Sequence, residues 1–107
     1  MSVFGNCKDM TIKFVNNTGQ TITVPAEGHR VKNPGTVEGW NPLQLGESVN
    51  DLAPGASHST RQTLSIKCVD DAQFEMHWTS TAGGEFTQLF TDRNIEDKQA
   101  VLTLTKH

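Results

Sequence analysis

The chain has no tyrosine, two tryptophans and two cysteines among 107 residues, and aromatic residues make up 7% of it. Tyrosine is a favoured interface residue. Its absence argues against a broad protein-binding face and against a sugar site lined with stacking rings. No apolar run approaches the ~20 residues of a membrane helix, so no transmembrane segment is expected. An excess of positive charge is missing too: nine Lys+Arg face 12 Asp+Glu, for a net −3 with neutral histidines. Binding to phosphate polymers needs a concentrated basic face, so nucleic acid is not the expected partner. The opening residues, Met1 to Asp9, carry neither the basic nor the apolar stretch of a secretory signal. They point to the cytoplasm by default, or to release by a leaderless route. The length suits one domain over 1–107.

Cys7 and Cys68 are too far apart, with no Cys or His beside them, to make a zinc site. Two readings stay open. A disulfide between them would close a loop of about 60 residues, worth roughly 4 kcal/mol if chain entropy sets its value. Alternatively Cys68, in phase with Leu64 and Ile66, is a buried free thiol.

The apolar period is two, not 3.6. Met10, Ile12 and Phe14 alternate with Thr11 and Lys13, and Val15 breaks the pattern. Asn16-Asn17-Thr18-Gly19 then supplies turn chemistry, and Thr21 to Val24 alternates again, which predicts a β-hairpin. Residues 25–42 hold three prolines and three glycines and read as a long loop, with a short edge strand near His29-Arg30-Val31. Leu43 to Leu45 reads as a short strand. Asp51 to Gly55 reads as a turn into a strand over 57–69. A strand over 73–79 puts Phe74, Met76 and Trp78 on one face, and Thr81 to Gly84 turns the chain into a strand over 85–90. Asp92 to Asp97 suits one helical turn, and the last strand, 100–105, points Leu102 and Leu104 inward. Alternation on each clear strand means sheets with one dry and one wet face. The expected fold is all-β: a single antiparallel, Greek-key-like β-sandwich of six to eight short strands, with a small β-barrel as the alternative.

The chemistry-bearing residues are sparse. His29, His58, His77 and His107 offer no pair at metal-ligand spacing, although folding could unite His58 and His77 on adjacent strands. Asp70-Asp71 with Asp92 or Asp97 lacks the spaced pattern of a calcium loop. No nucleophile stands in an activating context. Glu75, Glu85 and Asp92 could supply a carboxylate pair for a small hydrolase, but any β-protein this acidic offers such pairs. No catalytic residue, metal or cofactor is therefore assigned.

Binding is the remaining class. Trp40 stands in the longest loop, between Gly39 and Asn41-Pro42. It is either a plug on the sandwich end, flanked by Val37 and Leu43, or an exposed anchor. His29, Arg30 and Lys32 share its loop, and a small cationic patch beside a tryptophan suits anionic headgroups. The candidate ligand-binding residues are Trp40, Arg30, Lys32, His29 and Asn41. Asn16-Asn17-Thr18-Gly19 after an opening strand, and Leu52-Ala53-Pro54-Gly55-Ala56-Ser57 before a long central one, resemble the turns of small cytolysin-like sandwiches such as the aegerolysins. The resemblance covers about a quarter of the chain, which is shorter than that family and poorer in tryptophan, and it implies lipid binding. The expected function is a non-enzymatic, lectin-like or cytolysin-like module for a carbohydrate or membrane lipid headgroup. The alternative is a protein-interaction module, such as an inhibitor, immunity-type protein or assembly subunit, with a protein partner or a homodimer formed through an unpaired edge strand.

Overall fold

A computed structural model of the chain describes residues 7–33, 39–66, 68 and 71–106. Nine strands run through them: β1 (Cys7–Asn16), β2 (Ile22–Val24), β3 (His29–Lys32), β4 (Asn41–Leu43), β5 (Val49–Leu52), β6 (Ser57–Leu64), β7 (Asp71–Ser80), β8 (Glu85–Asn94) and β9 (Gln99–Leu104). None of the described residues is helical. The residues expected to form a helical turn, 92–97, instead finish β8 and enter a turn closed by the Lys98 N–H on the Ile95 carbonyl at 3.0 Å. Val37, Lys67, Val69, Asp70 and His107, to which the sequence also assigns positions, lie outside the described residues.

The period-two pattern places the core. Met10, Ile12 and Phe14 on β1, Phe74, Met76 and Trp78 on β7, and Leu102 and Leu104 on β9 are all fully buried in one hydrophobic cluster. Both sheets feed it. One is three-stranded, in the order β6-β1-β9; the other is six-stranded, and neither closes into a barrel. In the larger sheet β7 is the spine. β8 lines one side of it, while β3 and β2 lie end to end along the other, against residues 73–75 and 79–80. β4 pairs with β3 and β5 with β2.

The hairpin expected over residues 10–24 does not form. Its two strands exist, but β1 pairs with β6 and β9, and β2 pairs with β5 and β7. The turn between them carries the chain from one sheet to the other. Alternation on β1 runs one step further than the apolar residues do, so Asn16 takes an inward position and is fully buried. Its Nδ2 donates to the carbonyls of Gln20 (2.6 Å) and Leu52 (2.8 Å), and its Oδ1 accepts from the N–H and hydroxyl of Thr18. The turn from β5 into β6 makes the same crossing beside it. Asn16 N–H donates to Ala56 O, and Gly55 N–H donates to Asn16 O. Two crossings are thus tied to each other, and the polar atoms of a buried turn are satisfied within it.

Further differences concern strand number, pairing and bounds: nine strands stand among the described residues where six to eight are expected, and Asp51 and Leu52, expected in a turn, end β5 because they pair with β2. β1 and β9 are parallel, with Thr11 opposite Gln99 and Asn16 opposite Leu104, although every other pairing is antiparallel. β3 is no edge strand: it lies between β4 and β7. β4 starts two residues earlier than expected, and β6 stops at Leu64 rather than continuing to 69. The edges are covered by polar side chains and by a loop. Gln88 on β8 donates to Thr103 O and accepts from the Thr105 N–H, bridging to β9. On the other side Gly46 lies against the backbone of Arg61 in β6 and donates its N–H to Gln62 Oε1. Such covers blunt the strand edges. Cys7 and Cys68 form a disulfide with their Cα atoms 5.0 Å apart, which settles the choice between cystine and free thiol.

Candidate functional site

On β3 the side chains alternate. His29 and Val31 point into the core, whereas Arg30 and Lys32 project from the outer face of the six-stranded sheet. Pairing with β4 sets Asn41 opposite Val31 and Pro42 opposite Arg30, so Trp40 arrives just before β4, beside the end of β3. The ring of Trp40 is half-buried and lies outside the core cluster. The guanidinium carbon of Arg30 stands 5.0 Å from its ring centre, and Lys32 Nζ stands 5.2 Å from it. Both distances are cation–π range. Trp40 is therefore neither a core plug nor a free anchor: two cations of the neighbouring strand hold it against the sheet.

A third element fixes Arg30. Glu75 on β7 is its cross-strand neighbour, and the two form a fork: Nε to Oε1 at 2.9 Å and Nη2 to Oε2 at 2.7 Å. Hydrogen bonds from Arg30 hold the Glu75 carboxyl below its ordinary pKa, and the same bonds raise that of Arg30. A bidentate pair of this kind adds little stability at a surface, but it fixes the direction of the guanidinium. Two cations and one carboxylate leave the cluster with one positive charge on a chain of net −3. Leu89 stands opposite Glu75 on β8 and is 52% exposed. The row Pro42, Arg30, Glu75, Leu89 thus crosses four strands of one face.

Four of the five expected residues, Trp40, Arg30, Lys32 and Asn41, come together here. His29 does not join them. It is 2% exposed and faces the core. Its Nδ1 accepts from the backbone N–H of His77 at 3.0 Å, so the ring proton sits on Nε2, which donates to Pro25 O at 2.6 Å. With both nitrogens engaged by backbone, the ring has no atom left for a ligand. The sequence missed Glu75 and Leu89 because they lie 45 and 59 positions from Arg30, and only strand pairing brings them close.

The other candidates separate. His58 on β6 and His77 on β7 are in different sheets, with His58 on Glu47 at 3.0 Å and His77 3.8 Å from Glu85. Glu75 stands opposite Leu89, and Glu85 opposite Thr79. They are four strand positions apart, about 13 Å at ~3.3 Å per residue, beyond either separation that glycoside hydrolysis uses. Among the described residues no three His, Cys, Asp or Glu side chains are grouped to hold a metal ion. Comparisons with protein-family models, curated proteins and solved structures find no match to this chain.

Proposed function

We propose that this protein is a non-enzymatic binding module, a sandwich of its two sheets, that takes an anionic carbohydrate or membrane lipid headgroup on the Trp40 cluster. The observation that carries this is the preassembled set of Trp40, Arg30 and Lys32 on one outer sheet face, with Asn41 adjacent. A site held by strands, with its guanidinium fixed by Glu75, loses little side-chain freedom when it binds. The tryptophan supplies an amphipathic surface and the lysine a positive charge at its ring, a combination suited to headgroups. Leu89 extends the apolar part of the same face. The Cys7–Cys68 disulfide supports action in an oxidising compartment rather than in the reducing cytosol.

The test is tryptophan emission during titration with anionic vesicles, neutral vesicles, acidic sugars and neutral sugars. Trp78 is buried in the core, so Trp40 carries the response. A blue shift with an anionic probe that is lost in Trp40→Ala and weakened in Lys32→Gln supports the reading. No response to any of the four probes refutes it.

A further inference from the structure

His29 occupies a gap in the sheet. β3 pairs with residues 73–75 of β7 and β2 with residues 79–80, and the chain leaves β7 between them, through Pro25 to Gly28. The N–H of His77 falls in that gap, where no ladder partner stands beside it on the β2–β3 side. The imidazole of His29 fills the place: Nδ1 takes the N–H of His77, and the Nε2 proton goes to the carbonyl of Pro25, the residue that follows β2. One buried ring therefore ties the start of β3 to both the spine of the sheet and the preceding linker.

This tie works only with a neutral ring. A protonated imidazole carries hydrogen on both nitrogens, so Nδ1 would then present a donor to the donor of His77. We propose that His29 is an acid-sensitive latch, whose protonation breaks the bond to the His77 N–H, frees the start of β3 and disperses the Trp40 cluster. Its regulatory meaning rests on the reading of that cluster as the ligand site.

The surroundings favour the neutral form. Burial pushes the His29 pKa below its ordinary value; the bond to the Pro25 carbonyl opposes that push, and neighbouring His77 adds to it. Two carboxylates flank this place: Glu27, exposed in the linker two residues before His29, and Glu85 on β8, 3.8 Å from His77 Nε2. His77 and Glu85 share the outer face of the sheet with Arg30, Lys32 and Glu75, whereas the His29 ring turns inward from it. Because the folded-state pKa is depressed, the contribution of the neutral ring is fully present above the ordinary value of 6.5 and is lost as pH falls below it. Arg30 follows His29 directly in the chain. β3 is four residues long, so losing its first anchor removes a large part of its attachment.

The test uses the full chain without ligand, taken from about pH 7.5 to about pH 5, a span that brackets histidine titration. Two readouts are followed by nuclear magnetic resonance: the ring signals of His29 and the exchange protection of the His77 amide. The expected result is a loss of about tenfold in His77 protection, equivalent to one hydrogen bond, coinciding with the ring titration. The Phe14 amide in β1 stays protected. Trp40 emission shifts to the red over the same range. His29→Asn keeps an acceptor near the Nδ1 position but does not titrate, and its profile is flat; His77→Gln keeps the backbone donor and the transition. Protection that survives protonation of the ring, equal loss at Phe14, or an unchanged transition in a folded His29→Asn variant overturns the latch. If that variant does not fold, coincidence of the two wild-type readouts still decides. Anionic vesicles added at both pH values separate the two claims. No binding at either pH, with the latch opening, refutes the ligand site alone, whereas equal binding at both pH values with the latch open refutes the regulation.

Discussion

Replacing Asn16 by alanine is expected to destabilise the protein by about 4 kcal/mol. The side chain is fully buried and makes four hydrogen bonds: two from Nδ2, to Gln20 O and Leu52 O, and two to Oδ1, from the N–H and hydroxyl of Thr18. A typical intramolecular bond is worth about 1 kcal/mol net, and a buried group left without a partner costs about 1–3 kcal/mol. Alanine leaves the Leu52 carbonyl and the Thr18 N–H in that position, and water cannot reach them without opening both sheet crossings. A domain of this size holds about 5–15 kcal/mol in all, so the loss is a large share. In urea, with a slope of about 1.5 kcal/mol per molar, the midpoint should fall by about 2.7 M. The control is Asn17→Ala: Asn17 is the exposed neighbour, and its replacement should stay within about 0.5 kcal/mol. If the two variants unfold at the same urea concentration, the tied crossings do not hold the sheets together as argued.

Two further changes test other parts of the frame. Reducing the Cys7–Cys68 disulfide, which spans 61 positions, should cost roughly 4 kcal/mol by the chain-entropy argument; a urea midpoint unchanged by reductant would show that the unfolded chain gains nothing from its release. Gly46→Ala puts a methyl group onto the carbonyl oxygen of Arg61. Because the obstruction is backbone, the cost should reach about 3 kcal/mol, the upper end of overpacking effects, and a calorimetric melting temperature equal to that of the parent would refute the close approach of this loop to β6.

The strands of this protein are written in its alternation. Met10, Ile12 and Phe14 and, later, Phe74, Met76 and Trp78 turn inward because side chains on a strand point to opposite faces in turn, and this needs no knowledge of neighbours. The same rule carries Asn16 inward, although Val15 breaks the apolar pattern before it and Asn16 itself reads as turn chemistry. It also places His29 and Val31 on one face of the short strand read there, but an edge strand within a loop gives no sign that this face is the core. Pairing is a different kind of information. Alternation fixes the face of a strand but not its neighbour, so β1 and β2, separated by residues 17–21, are as consistent with a hairpin as with a crossing. Asn16-Asn17-Thr18-Gly19 can close either one. What decides is the bond from Asn16 to the Leu52 carbonyl, 36 positions away, and the occupation of both sides of β1 by β6 and β9.

The candidate site divides along the same line. Arg30, Lys32, Trp40 and Asn41 are close in sequence, so composition alone drew attention to them. His29 left the group because its phase on β3 turns it to the core, and Glu75 and Leu89 entered it because β3, β7 and β8 lie side by side. The sequence by itself determined which residues are apolar, where they alternate and which turns are possible, since these depend on local stereochemistry. The tertiary structure decided which strands meet, whether they run parallel, and which distant carboxylate holds Arg30, since those depend on contacts between residues that the chain order keeps far apart.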